Sequence, residues 1–338
     1  MDNVAKLSKL DREFLFTETA NELDVPPLLV EKDFWVVWIL NIISKQEIGE
    51  SLYFRGGTSL SKAYGAINRF SEDIDLGVDP ARIYPQILND LEQAPSRAQR
   101  SKIIQRLRQA TRTFVEGDLI GSINNGIAHV LREDDWQMEI VIQDRLANLK
   151  FHYPRSLQDS NYSTSYIPPS VKLEPDGRAS INPSVAKEIA PFLTKQFPDQ
   201  FTEKSCSIMT LSAERTFWEK VALLHRVFIK PEAPPARFSR HCYDVLQLAN
   251  HLDIFEKPRT KELLSKVIEH NKNFYEQTAN TYAGALSGSL RLIPSDIQIK
   301  NLEADYENTK VMIFQSEPKF STMISKLHEL QEIINDTS

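Results

Sequence analysis

Over the first 44 residues the apolar positions recur at helical spacing, which predicts two helices, Leu7 to Leu23 and Pro26 to Ser44. Asp24 stands where a cap for the second helix belongs, with proline near its first turn. Phe34 to Ile43 is the most apolar run, flanked by Lys32, Asp33 and Lys45. It is far short of the roughly 20 residues that span a bilayer and reads as a buried helix. The period then changes. Ser51 to Arg55, with Tyr53 and Phe54, suits a strand that breaks at Gly56 and Gly57. Helical spacing resumes at Leu60, Ala63 and Tyr64, with Thr58 or Ser59 placed to cap. From Asp73 to Val78 the alternation has period two, so Ile74, Leu76 and Val78 share one face of a strand while Asp73 and Asp75 share the other.

Further along, a basic stretch with helical character runs from Arg97 towards Gly117, and Ile127 to Leu131 and Trp136 to Ile142 read as strands. A polar loop, Gln158 to Ser165, precedes Pro168-Pro169 and a further strand, Val171 to Glu174. After Cys206 to Leu211 the character turns helical: Ser212 caps a helix to about Phe228, Lys230 to Pro235 is a helix-breaking loop, and Ser239 caps a helix from Arg240 to Leu252. More helices follow, interrupted by a loop or strand over Thr281 to Leu290. The expected class is α/β (α+β), a mixed sheet with N-terminal helices over 1–204 and a helical C-terminal domain over 205–338.

With 338 residues and 41% hydrophobic composition, the chain can bury the cores of two domains. Cys206 and Cys242 form no disulfide framework and lack metal-ligand spacing, which fits packing roles in a reducing cytoplasm. Met1 to Phe14 is charged and has no signal-peptide core, so neither secretion nor membrane insertion is expected. The net charge of −6 argues against a basic coat for nucleic acid. Locally, however, Arg97, Arg100, Lys102, Arg106, Arg108 and Arg112 occur with no acid among them. Two readings stay open for that face, a solvated helix or a track for an RNA backbone.

The chemistry concentrates around Gly56 and Asp73. Glycines after a strand let backbone N–H groups approach an anion, and a helix beginning beside them turns its positive end to the same place, which suits a triphosphate. Fifteen residues separate Gly57 from Asp73, enough for a short helix and a return to an adjacent strand. Asp73 and Asp75 would then meet hard cations such as Mg²⁺ beside the phosphates. Glu174 is a candidate third acid on its own strand. The chain has no Gly-Lys-Ser/Thr at Walker spacing and no Gly-x-Gly-x-x-Gly. In the helical half, Lys220 falls inside the apolar stripe of Phe217, Val221, Leu224, Val227 and Phe228, where an ammonium either snorkels, pairs internally or meets a ligand anion. Arg240, Asp244 and His251 share the next helix, for which an i, i+4 salt bridge is the plain reading.

Four blocks together resemble the AbiEii/AbiGii-type nucleotidyltransferase toxins, relatives of the MenT toxins in the DNA polymerase β-like superfamily. They are Phe54 to Lys62, Arg69 to Leu76, Glu214 to Lys220 and Ser239 to Asp244, with weaker similarity over Val30 to Val36 and Val171 to Glu174. The resemblance implies a bilobed enzyme in which Gly56, Gly57, Thr58 and Ser59 bind the triphosphate, helped by Lys62, Ser71 and Arg240. It implies Mg²⁺ (or Mn²⁺) on Asp73, Asp75 and Glu174, although Pro175-Asp176-Gly177-Arg178 stands where relatives commonly carry Gly-Ala-Arg. Lys220 would contact nucleotide phosphate across the interdomain cleft, and Asp244 would be the second-domain acid, completing a catalytic set of Asp73, Asp75, Lys220 and Asp244. NMP transfer from an NTP to an RNA acceptor, a tRNA 3′ end, is the activity implied, with growth arrest or phage-triggered shutdown restrained by a cognate antitoxin. The alternatives are nucleotidylation of a protein or small molecule, and a non-catalytic NTP- or RNA-binding protein.

Overall fold

In the computed structural model, which describes every residue except 163–166, 257–260, 276–278, 315–317 and 337–338, seven strands build one mixed sheet. They are β1 (Leu52–Arg55), β2 (Asp73–Val78), β3 (Gln137–Gln143), β4 (Leu146–His152), β5 (Val171–Asp176), β6 (Ser184–Ile189) and β7 (Cys206–Leu211), in the order β3-β4-β5-β2-β1-β7-β6. β2 runs antiparallel to β1 and parallel to β5, and β7 runs parallel to β1. The period-two pattern holds through the middle of the sheet: Ile74, Leu76, Leu149, Phe151, Val171 and Leu173 are fully buried, and the polar residues between them stand on the other face.

Helices cover the apolar face. Pro27–Ser44 packs against β5 and β7 and buries Phe34, Trp35, Trp38 and Ile39 completely, as the apolar run predicts for a buried helix. Asp24 does not cap it. With φ +53, Asp24 instead closes the preceding helix, Lys9–Leu23, in the left-handed conformation, and Ser8 caps that helix by accepting from Asp11 N. The basic stretch forms the helix Arg97–Phe114, which lies on β4 and β5 through Ile103, Ile104, Leu107 and Thr111. Its arginines therefore belong to the layer opposite the polar face of the sheet.

Ile127 to Leu131 is not a strand. Leu119, Ile123 and Ile127 recur every four residues and are fully buried, so the stretch completes the helix Ile120–Ala128 and its closing turn. β4 and β6 are additions. β4 follows β3 through a two-residue turn in which Asp144 and Arg145 both have positive φ, a tight hairpin without the glycine that would announce it. The expected loop after Gln158 contains the single turn Asp159–Tyr162, and its end at Ser163 to Ser165 lies outside the described residues.

The chain divides into two compact units, Met1–Ala63 with Ser71–Leu211, and Tyr64–Phe70 with Ser212–Ser338. Cys206–Leu211, expected with the helical part, completes the sheet by pairing with β1 and β6. The second unit consists mainly of the helices Ala213–Phe228, Ser239–His251, Glu262–Phe274, Asp296–Thr309 and Phe320–Asp336, with short turns at Ala279–Tyr282 and Ala285–Ser287. Tyr64–Phe70 joins it through backbone bonds from Phe70 N to Met312 O (2.6 Å) and from Phe314 N to Asn68 O (2.8 Å). Both cysteines are free and buried. No helix among the described residues is long and apolar enough to cross a membrane.

Candidate active site

The first unit assembles its site where β1 ends. Gly56 follows Arg55 at φ +74, and a Cβ built there would lie 1.8 Å from Asp75 Oδ2, so the glycine turn and the acidic strand occupy one place. The helix starts at Gly56 itself, two residues before the expected cap, and runs to Lys62 without a side-chain cap. Thr58 and Ser59 are buried, and their hydroxyls are spent on backbone. Thr58 Oγ1 donates to Asp73 O, tying the turn to β2, and Ser59 Oγ donates to Gly56 O at 2.9 Å. What the turn offers an anion is the backbone N–H groups of a helix start.

Asp73 and Asp75 project from the polar face of β2, half-buried. The parallel register sets Asp75 beside Glu174 and Asp73 beside Lys172, and the antiparallel register sets Arg55 beside Asp75. Glu174 thus joins the aspartates although Pro175 follows it directly. Burial, then the negative charges of Glu72 and Glu174, raise the Asp73 pKa against the opposing pull of Lys32 and Lys172. Arg55 and Lys172 bring positive charge to the cluster, Lys172 pairing with Glu174 and donating to Gln143 Oε1 at 2.9 Å. A cavity of about 190 Å³ opens here, lined among others by Arg55, Asp75, Asp144, Asn148, Glu174 and Asp176. Among the described residues no three His, Cys, Asp or Glu side chains form a ready-made metal cage. The hard oxygen donors, the raised Asp73 and the cavity lined by Asp75 and Glu174 fit an ion that takes one or two carboxylates and completes its shell with substrate phosphates.

Sequence reasoning passed over the support beneath this site. Glu31, Lys32 and Asp33 sit fully buried inside the most apolar helix. Lys32 Nζ meets Glu72 Oε2 at 2.8 Å and donates to Pro168 O at 2.9 Å. Asp33 pairs with Lys62 and accepts from Phe192 N at 2.7 Å, while Glu31 accepts from Ser156 N (2.7 Å) and Tyr162 Oη (2.8 Å). Lys62, expected on the nucleotide, is therefore an internal counter-ion, its Nζ 3.6 Å from the centre of the Phe192 ring. Three consecutive charges within an apolar run were the available signal. Ser71 is half-buried just before Glu72.

In the second unit Lys220 has an internal partner, with Nζ 2.9 Å from Asp244 Oδ2 and 3.3 Å from His241 Nδ1. Asp244 is fully buried and also receives both prongs of Arg69, Nε to Oδ1 at 2.7 Å and Nη2 to Oδ2 at 2.8 Å. Burial alone would raise its pKa, but Arg69 and Lys220 outweigh that and hold it far below the carboxylate range. Burial and then the Lys220 charge push His241 well below 6.5, so it is neutral. The i, i+4 partner Arg240 is not among the groups bonding Asp244; its buried Nε has no hydrogen-bond partner among the described residues. His251 is exposed at the helix end. Arg69 was the residue missed here, since it lies 175 positions from its partner.

A family model described as nucleotidyl transferase AbiEii toxin, type IV toxin–antitoxin system, matches residues 38–334. Among solved structures, MenT4, a nucleotidyltransferase toxin from Mycobacterium tuberculosis, aligns over 98% of this chain and 91% of its own at 14% identity and a TM-score of 0.52, a likeness of fold. None of the curated sequences compared matches.

Proposed function

The chain belongs to the AbiEii family of nucleotidyl transferase toxins of type IV toxin–antitoxin systems, and from that premise we propose that it transfers NMP from an NTP to the 3′ hydroxyl of an RNA, a tRNA end in particular. The observation that carries this reading is the cross-strand row Arg55, Asp75, Glu174 with Gly56 pressed against Asp75. Backbone N–H groups at Gly56 and Gly57 take the triphosphate, helped by Arg55 and Ser71. Asp73, Asp75 and Glu174 would hold Mg²⁺ or Mn²⁺, which when bound neutralises charge on the phosphate oxygens. The acceptor oxygen bonds to the α-phosphorus, the bond to the bridging oxygen breaks, pyrophosphate leaves, and a carboxylate of the cluster takes the hydroxyl proton. Asp244 acts through Arg69 and Lys220 as a positioning residue. Within the second unit Lys220, paired with Asp244, and Arg240, whose Nε keeps donor capacity, supply positive charge for an anionic substrate.

NTP and tRNA are cytoplasmic, and the expected consequence is growth arrest, including shutdown on phage infection, with a cognate antitoxin as partner. The test is incubation with labelled NTPs, total RNA and Mg²⁺ or Mn²⁺, with sequencing of tRNA 3′ ends. Labelled RNA with wild type and none with Asp73→Asn is the result expected. Label on protein would redirect the reading to protein nucleotidylation. NTP binding without any labelled product would reduce the protein to a binding module.

A further inference from the structure

The polar face of the sheet carries more than the acids. Its strand pairings align side chains in rows, one of which runs Asp73 on β2, Lys172 on β5, Lys150 on β4 and Glu139 on β3. The neighbouring row runs Arg55, Asp75, Glu174, and one further step of the β4–β5 register brings Asn148 beside Glu174. The glycine turn lies on the β1 side of the acids. The lysines lie on the other side, one and two strands away, about 5 and 10 Å from Asp73.

These lysines differ in how they are occupied. Lys172 is engaged by Glu174 and Gln143. Lys150 stands directly opposite Glu139, yet Glu139 turns to His152, with Nε2 to Oε2 at 3.1 Å. Lys150 is half-buried and, among the described residues, has no carboxylate within ion-pair distance. An ammonium set beside an acidic cluster without a carboxylate of its own is suited to an anion from outside.

The direction of the reaction identifies that anion. Phosphoryl transfer keeps the attacking and leaving oxygens roughly in line through phosphorus. With the triphosphate on the glycine turn, pyrophosphate departs on the β1 side and the hydroxyl arrives from the side of β5 and β4. We infer that Lys150, with Asn148 beside Glu174, forms the acceptor subsite, Lys150 gripping a backbone phosphate of the acceptor RNA next to its 3′-terminal nucleotide. This rests on the RNA-acceptor reading above.

The test uses the full chain with Asp73→Asn, so that no transfer obscures binding, and a short fluorescent single-stranded RNA with a free 3′ hydroxyl. Adding Lys150→Ala is expected to weaken RNA binding several-fold and to flatten the slope of log affinity against log salt by about 0.7, one phosphate contact on a single strand. Lys150→Arg keeps the slope, and NTP affinity stays unchanged in both. Wild-type affinity and slope in Lys150→Ala would overturn the subsite and leave the RNA reading intact. Equal loss of NTP affinity would assign Lys150 to the nucleotide and overturn the inference. RNA that fails to bind the Asp73→Asn chain at all would overturn the subsite together with the RNA reading.

Discussion

Single residues at the site are constrained by what they touch more than by what they are. Gly56 combines a positive φ with contact against Asp75, so Gly56→Ala must push the carboxylate away and strain the turn. The expected outcome is loss of nucleotidyl transfer with about 1–3 kcal/mol of destabilisation, checked by labelled-NTP assay alongside urea unfolding. His241 gives a pH prediction. Its folded pKa lies well below the unfolded 6.5, so the neutral ring contributes stability that is fully present above 6.5 and declines as pH falls from there towards the folded value. Urea unfolding between neutrality and mild acid should therefore lose free energy faster in wild type than in His241→Gln. Asp244 is depressed likewise, but its contribution fades only in strong acid, below the ordinary carboxylate range.

At the scale of elements, the helix Pro27–Ser44 does two jobs. Its aromatic and aliphatic residues fill the core, and two of its three buried charges hold pieces of the site: Lys32 the residue before Asp73, Asp33 the end of the helix that begins at the glycine turn. Breaking a buried pair by removing one partner leaves an unmatched charge, which costs about 3–5 kcal/mol. Lys32→Met is expected to destabilise by that amount in urea melts, and the double variant Lys32→Met with Glu72→Met to recover most of it. A single variant no worse than the double would show that the pair does not support the fold. Nothing of this kind applies to the exposed pair Lys266–Glu262, whose loss should be silent.

On the scale of the whole molecule, the second unit takes seven residues from the middle of the first unit's sequence. A fragment beginning at Ser212 lacks Arg69, so buried Asp244 keeps Lys220 but loses its bidentate partner, and the bridge from Arg69 to Ile313 is gone. Fragment 212–338 is expected to give poorly dispersed NMR spectra alone and to gain structure with a peptide spanning 64–70; a well-folded fragment without the peptide would refute this. Local pattern was enough to reveal the strand, glycine turn and acidic strand, the buried run Phe34 to Ile43, and the odd lysine at 220, because periodicity and side-chain chemistry act between near neighbours. Pattern could not reveal that β5 lies beside β2, that Lys62 belongs to Asp33, or that Asp244 answers to Arg69. Those pairings join positions 29 to 175 residues apart. Only folding decides which buried charge meets which, since each must find a partner wherever packing has excluded water.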